Sequence, residues 1–249
     1  MSIRPSVVQA VTALLLAADN QIPLAEAIPA AGVSIPLCAG LSVVTAIARP
    51  EGDYESIKTV TAVGADDVRI AYSAQVPNGS GGLRLFQVRR TVLRRDLADA
   101  TLYMHYFHPR APVTFAGSTA LGTSSAVLRA LKTSGAAMLQ IVPDSSSASS
   151  ANRSTHPNVY DFQQTYALRR VGAGPVTLTV VVNDAPQSLS VIRAQGDYLG
   201  DTAEFYFLDD ERNPLALRYR FASDETEGGA RDLEVVKISY HCRPSPERL

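Results

Sequence analysis

The second half of this chain repeats one local pattern that leaves few folds open. Short runs rich in Val, Thr, Tyr and Phe recur about every ten residues, each closed by a tight polar turn. They lie at 164–171, 176–182, 187–194, 203–208, 215–221 and 233–240. The turns between them include Gly172-Ala173-Gly174-Pro175, Asn183-Asp184 and Asp209-Asp210-Glu211-Arg212-Asn213-Pro214. β-branched and aromatic residues suit a pleated, half-buried surface. Turns this short join antiparallel neighbours, because parallel strands need a long crossover. The first half adds runs at 41–48, 56–63, 67–75, 83–92 and 136–143. The chain is therefore expected to be α+β and mostly antiparallel β, as a sandwich, curved sheet or barrel, with one or two short helices packed on it.

The helices are expected at 96–103 and 118–133. In the longer one, Ser118 or Thr119 is placed to cap the first turn and Leu121, Val127, Leu128 and Leu131 form an apolar face. Lys132 falls in its last turn and Gly135 just past its end, as helix ends prefer. A serine-rich, low-complexity stretch follows at 144–158. Residues 28–249 are expected to form one β-rich domain, or two halves divided at that stretch.

The start of the chain bears on compartment. Arg4 precedes an apolar run over 7–18, and Ala25-Glu26-Ala27 offers a small-x-small cleavage site. These are the parts of a secretory signal peptide over 1–27, and the alternative is an N-terminal helix packed on the domain. The apolar run is too short to span a bilayer, so no transmembrane span is expected in the mature chain. Ile35-Pro36-Leu37 before Cys38 does not suit lipoprotein processing, and acylation is not expected. The formal net charge of −1 gives no pull towards nucleic acid.

Two cysteines, Cys38 and Cys242, sit near the two ends of the β-rich region. They are too few for a structural zinc site. Either they are unrelated buried thiols, or they form one disulfide that ties the first strand to the last, which requires an oxidising compartment.

Catalytic and metal-binding patterns are incomplete. His105 and His108, three apart, lack a third metal ligand fixed by sequence, and aromatic neighbours make them structural. His241 beside Cys242 on a strand points to the opposite face and does not activate a thiolate. The Gly-x-Ser-x-Gly elbow of serine hydrolases is absent. Asp66-Asp67, Asp197/Asp201 and Asp209-Asp210-Glu211 fall where turns are expected; the last two could serve a calcium ion but read first as solvated charge. Arg89, Arg90, Arg94 and Arg95 form a basic cluster that reads as a solvated face beside Asp96 and Asp99. No catalytic residue, metal or cofactor is assigned.

Several phrases nevertheless resemble a known family. They are the residues from Cys38-Ala39-Gly40-Leu41-Ser42 to Ala46 with Glu51-Gly52-Asp53-Tyr54-Glu55-Ser56-Ile57-Lys58, then Arg90-Thr91-Val92-Leu93-Arg94-Arg95-Asp96-Leu97, then Gly117-Ser118-Thr119-Ala120-Leu121-Gly122-Thr123-Ser124. Ala203-Glu204-Phe205-Tyr206-Phe207-Leu208-Asp209-Asp210 with Asn213-Pro214-Leu215 belongs with them. Together they resemble the β-rich N-terminal region that precedes the OmpA-like domain in proteobacterial envelope proteins. The resemblance implies the periplasm, with association to the outer membrane. In that family the OmpA-like domain itself holds peptidoglycan through an Asp and an Arg, and no such segment is read here, so no peptidoglycan-binding residue is carried over. The expected function is a non-catalytic structural or interaction module of the Gram-negative envelope, its partner an envelope protein or cell-wall component. The alternatives are a periplasmic β-barrel carrier of a small apolar ligand, and a hydrolase in which His105 or His108 converges with Ser or Asp.

Overall fold

The computed structural model describes residues 33–48, 52–77, 81–107, 113–141, 164–174, 176–198, 201–221 and 232–242. The leader-like start, the serine-rich stretch, His108 and His156 lie outside them. In chain order the elements are β1 (Ser42–Ala48), β2 (Tyr54–Val63), β3 (Asp67–Pro77), β4 (Leu83–Leu93), α1 (Arg94–Asp99), β5 (Leu102–Tyr103), β6 (Ser118–Thr119), α2 (Ser125–Thr133) and β7 (Ala136–Ile141). Then come β8 (Gln164–Arg170), β9 (Val176–Val182), β10 (Ala185–Tyr198), β11 (Asp201–Leu208), β12 (Ala216–Phe221) and β13 (Asp232–Ser239).

Among the described residues, thirteen strands join in one sheet, in the order β4-β3-β2-β1-β13-β12-β11-β10-β8-β7-β5-β6, with β9 pairing both β10 and β13. That double pairing closes β9 to β13 into a ring of five strands. Ring strands contribute Val180, Leu189, Phe207, Leu217, Val235 and Ile238 to the core, all buried. β1 to β4 extend the sheet from β13 as an antiparallel wing. The expectation of a mostly antiparallel sheet with two short helices holds. Parallel contacts occur at β5–β6, β5–β7 and β9–β13, where longer connections supply the crossover.

Local chemistry explains the elements. Asn183 and Asp184 take φ of 48° and 67°, the left-handed pair that a two-residue hairpin needs, and they join β9 to β10 in register. In β3, Val68, Ile70, Tyr72, Ala74 and Val76 are buried, so alternate residues face the core.

The long helix is shorter than its sequence suggests. Ser118 and Thr119 pair with β5, and the helix begins only at Ser125, where the Ser124 hydroxyl accepts from the Val127 N–H at 3.3 Å. Gly135, at φ 74°, follows its end. Gly122 is what stops the helix from starting sooner. It bridges Leu215, and a Cβ there would lie 1.9 Å from the Pro214 carbonyl oxygen. Gly122→Ala is expected to cost about 3 kcal/mol in urea unfolding, because backbone must move apart. A variant as stable as wild type would show that this contact is loose.

The basic cluster also divides. Arg90 faces inward opposite Ile70 and is buried, its guanidinium 5.6 Å from the Phe107 ring centre, while Arg89 faces solvent. Strand alternation separates them, so the four arginines do not make one solvated face.

Cys38 and Cys242 come together: their sulfurs lie 2.15 Å apart and their Cα atoms 5.4 Å. The pair sits where β1 and β13 run side by side, Ser42 opposite Ser239. Gly40 makes this approach possible, since at φ +98° its hydrogen faces the His241 carbonyl oxygen where a Cβ would stand only 2.9 Å away.

Candidate functional site: a buried lysine and an open sheet face

The most unusual side chain is Lys58, which the sequence reading passed over. It stands on the core face of β2, in line with buried Tyr54, Ser56 and Val60. Its amine donates to the Ala120 carbonyl at 2.5 Å and the Met104 carbonyl at 3.2 Å. β5 and β6 hold these two acceptors side by side, and the Met104 N–H donates to the Thr119 carbonyl at 3.0 Å. The Phe107 and Tyr103 ring centres lie 5.1 and 5.3 Å from the amine.

Burial pushes the Lys58 pKa down from 10.5 to about 7, because removal from water disfavours the ammonium ion. Above that pH the amine is neutral, and the two carbonyls match its two hydrogens. The same burial raises the Tyr103 phenol well above its ordinary value. Thr45, Ser56, His105 and Tyr219 join Lys58 and Tyr103 around a void of about 10 Å³, and its lining contains no carboxylate.

His105 is thus placed near a serine, Ser56, as the hydrolase reading requires. The His105 ring is buried, 6.3 Å from Tyr103 and 6.4 Å from Tyr219 between ring centres. Ser56 with Lys58 also gives the residue types of a serine–lysine nucleophile pair. The space decides what the arrangement does. About 10 Å³ is room for one water molecule and not for an acyl group. A second enclosed void, near Leu97, Leu121 and Asn213, is about 20 Å³. The Lys58 chamber works as a polar clamp that fastens β2 to the segments after β5 and β6.

The acidic turns are engaged by the protein itself. The Lys132 amine meets Asp209 at 2.9 Å and Glu211 at 3.5 Å, and Arg129 meets Glu211 at 3.1 Å, so this turn docks α2. The hydrogen bond to Asp209 raises the Lys132 pKa. Asp210 accepts from the Ser34 hydroxyl at 2.9 Å, and Asp197 from the Thr202 hydroxyl at 2.8 Å. Among the described residues, no three His, Cys, Asp or Glu side chains are grouped to hold a metal ion. Among them also, no helix is long and apolar enough to cross a membrane.

The opposite face of β1 to β4 is open. Ile57 is 41% exposed there, and a shallow hollow lies on each side of its row of the sheet. One, of about 530 Å³, is bordered by Ile57, Thr59, Ala71, Ser73, Gln87 and Arg89. The other, of about 450 Å³, is bordered by Ala46, Ala48, Asp53, Glu55, Asp232 and Glu234. At the free end of the wing, Leu83 and Leu85 of β4 are 65% and 55% exposed.

Compared with protein families, with curated proteins and with solved structures, the chain finds no match. The site is therefore read from its own geometry.

Proposed function

We propose that this protein is a non-catalytic, exported interaction module of the Gram-negative cell envelope, of the kind found ahead of OmpA-like domains. The observation that carries the reading is the Cys38–Cys242 contact. The two sulfurs are at bonding distance, and Cys242 is exposed. A surface disulfide of this kind persists in an oxidising compartment and is reduced in a cytosol. The open face of β1 to β4 supports the interaction part of the reading, since it exposes Ile57, Leu83 and Leu85 among its polar and charged residues. Its partner is an envelope protein or a cell-wall component.

The test is the intact, unreduced mass of protein recovered from the periplasm of a Gram-negative cell expressing the gene. The mass is expected to be two hydrogens below that of the reduced chain, and shortened by removal of residues 1–27. Protein found wholly in the cytosol with both thiols alkylatable would overturn the reading.

A further inference from the structure

The open face is built in two halves of opposite sign. Register places Val44, Ile57, Ser73 and Gln87 in one row across β1 to β4. The neighbouring row on one side is Ser42, Thr59, Ala71 and Arg89, and Arg69 lies beyond it on β3. The neighbouring row on the other side holds Glu234, Ala46 and Glu55. Rows on one face are about 7 Å apart. The Ile57 row therefore separates exposed Arg89 on β4 from exposed Glu55 on β2.

Charges around these halves modify the contrast without removing it. Arg218 is bonded to Glu234, and Arg220 lies opposite Asp232, so the negative half centres on Glu55 beside Asp53. Arg69 has Asp67 3.8 Å away, so the positive half centres on Arg89. Lys237, in the Ile57 row on β13, is held by Asp184 at 2.7 Å.

We propose that this face binds a second copy of the chain, in a two-fold dimer in which Arg89 of each copy enters the carboxylate-lined hollow of the other. A surface whose halves complement each other is matched by its own copy when a two-fold axis passes between them. An axis lying in the face beside Ile57 brings the two Ile57 side chains together with Val44 and Ala71. It also sets the guanidinium of Arg89 against Glu55 twice. The hollow of about 450 Å³ is open and has room for an arginine side chain laid across it. This dimer rests on the interaction-module reading and names the partner as the chain itself.

Sedimentation equilibrium of the disulfide-bonded protein tests it. The wild type is expected at twice the mass of its own processed chain, with dissociation rising in high salt. Arg89→Glu and Glu55→Arg are each expected to weaken association at least tenfold. An equimolar mixture of the two is expected to dimerise again, since every contact then pairs opposite charges. Ile57→Asp is expected to be monomeric alone and in mixtures, with an unchanged far-ultraviolet spectrum. A monomeric wild type, or a dimer indifferent to both charge reversals, overturns the proposal.

A photo-crosslinking amino acid at position 57 in envelope fractions separates the two levels. An adduct of two copies supports the dimer. An adduct with another protein overturns the dimer and leaves the module reading standing. The absence of any adduct counts against both.

Discussion

Raising the pH from 7 to 10 is expected to make this protein harder to unfold, by about tenfold in the folding equilibrium for each pH unit. Lys58 is the reason. Its pKa falls from 10.5 when exposed to about 7 in the fold. Between those values the unfolded chain carries a proton that the folded chain lacks, and stability rises with pH wherever the unfolded state binds more protons. Three pH units correspond to roughly a thousandfold. Above pH 10 the sign reverses. Burial raises the pKa of Tyr103, and its bond to Asp209 raises that of Lys132, so the folded chain keeps protons the unfolded chain gives up. Stability is therefore expected to peak near pH 10.

Urea midpoints followed by circular dichroism at successive pH values measure this directly. Lys58→Met is expected to flatten the rise between pH 7 and 10, since it removes the titrating group and keeps the chain's length. Lys58→Arg is expected to destabilise by about 3–5 kcal/mol at every pH in that range, because a guanidinium cannot shed its proton and would remain charged beside two carbonyls. A wild-type profile flat between pH 7 and 10 would mean that Lys58 stays an ammonium ion in the fold.

Replacing both cysteines, Cys38→Ser with Cys242→Ser, is expected to cost about 5 kcal/mol. The bond spans a sequence separation of 204, so its loss releases a very large loop in the unfolded chain. In a chain of this size the melting temperature is expected to fall by roughly 10–20 °C. The folded sheet should be little changed, because β1 and β13 remain hydrogen-bonded to each other along their length. The denaturant slope should rise, since the unfolded chain without the bond exposes more surface. A fall in melting temperature of under about 3 °C would show that the paired strands hold the ends together without help from sulfur.

Much of the fold is legible in the chain, because strand and turn chemistry is local. Alternation in 67–75 and the Asn183-Asp184 turn state their own conformations, and β9 was expected over the residues it occupies, Val176–Val182. The helix start was not legible. Ser118 and Thr119 are good caps by type, yet pairing with β5 claims them, and the close approach of Pro214 to Gly122 delays the helix to Ser125. That approach joins residues far apart in sequence.

The candidate site divides along the same line. Local pattern could not show which face of β2 lies inside, because Tyr54, Ser56, Lys58 and Val60 compete with Glu55, Ile57, Thr59 and Thr61 as the apolar set. Pairing with β1 and β3 settles it, burying the lysine and exposing the isoleucine. The sequence by itself determined a β-rich, nearly neutral chain with turns in definite places, since those follow from the chemistry of neighbouring residues. Only the tertiary structure decided that two distant sulfurs meet, that an amine is sealed between two carbonyls, and that an isoleucine row parts opposite charges. Each of these depends on strand register and closure, which bring together residues that no short stretch of chain contains.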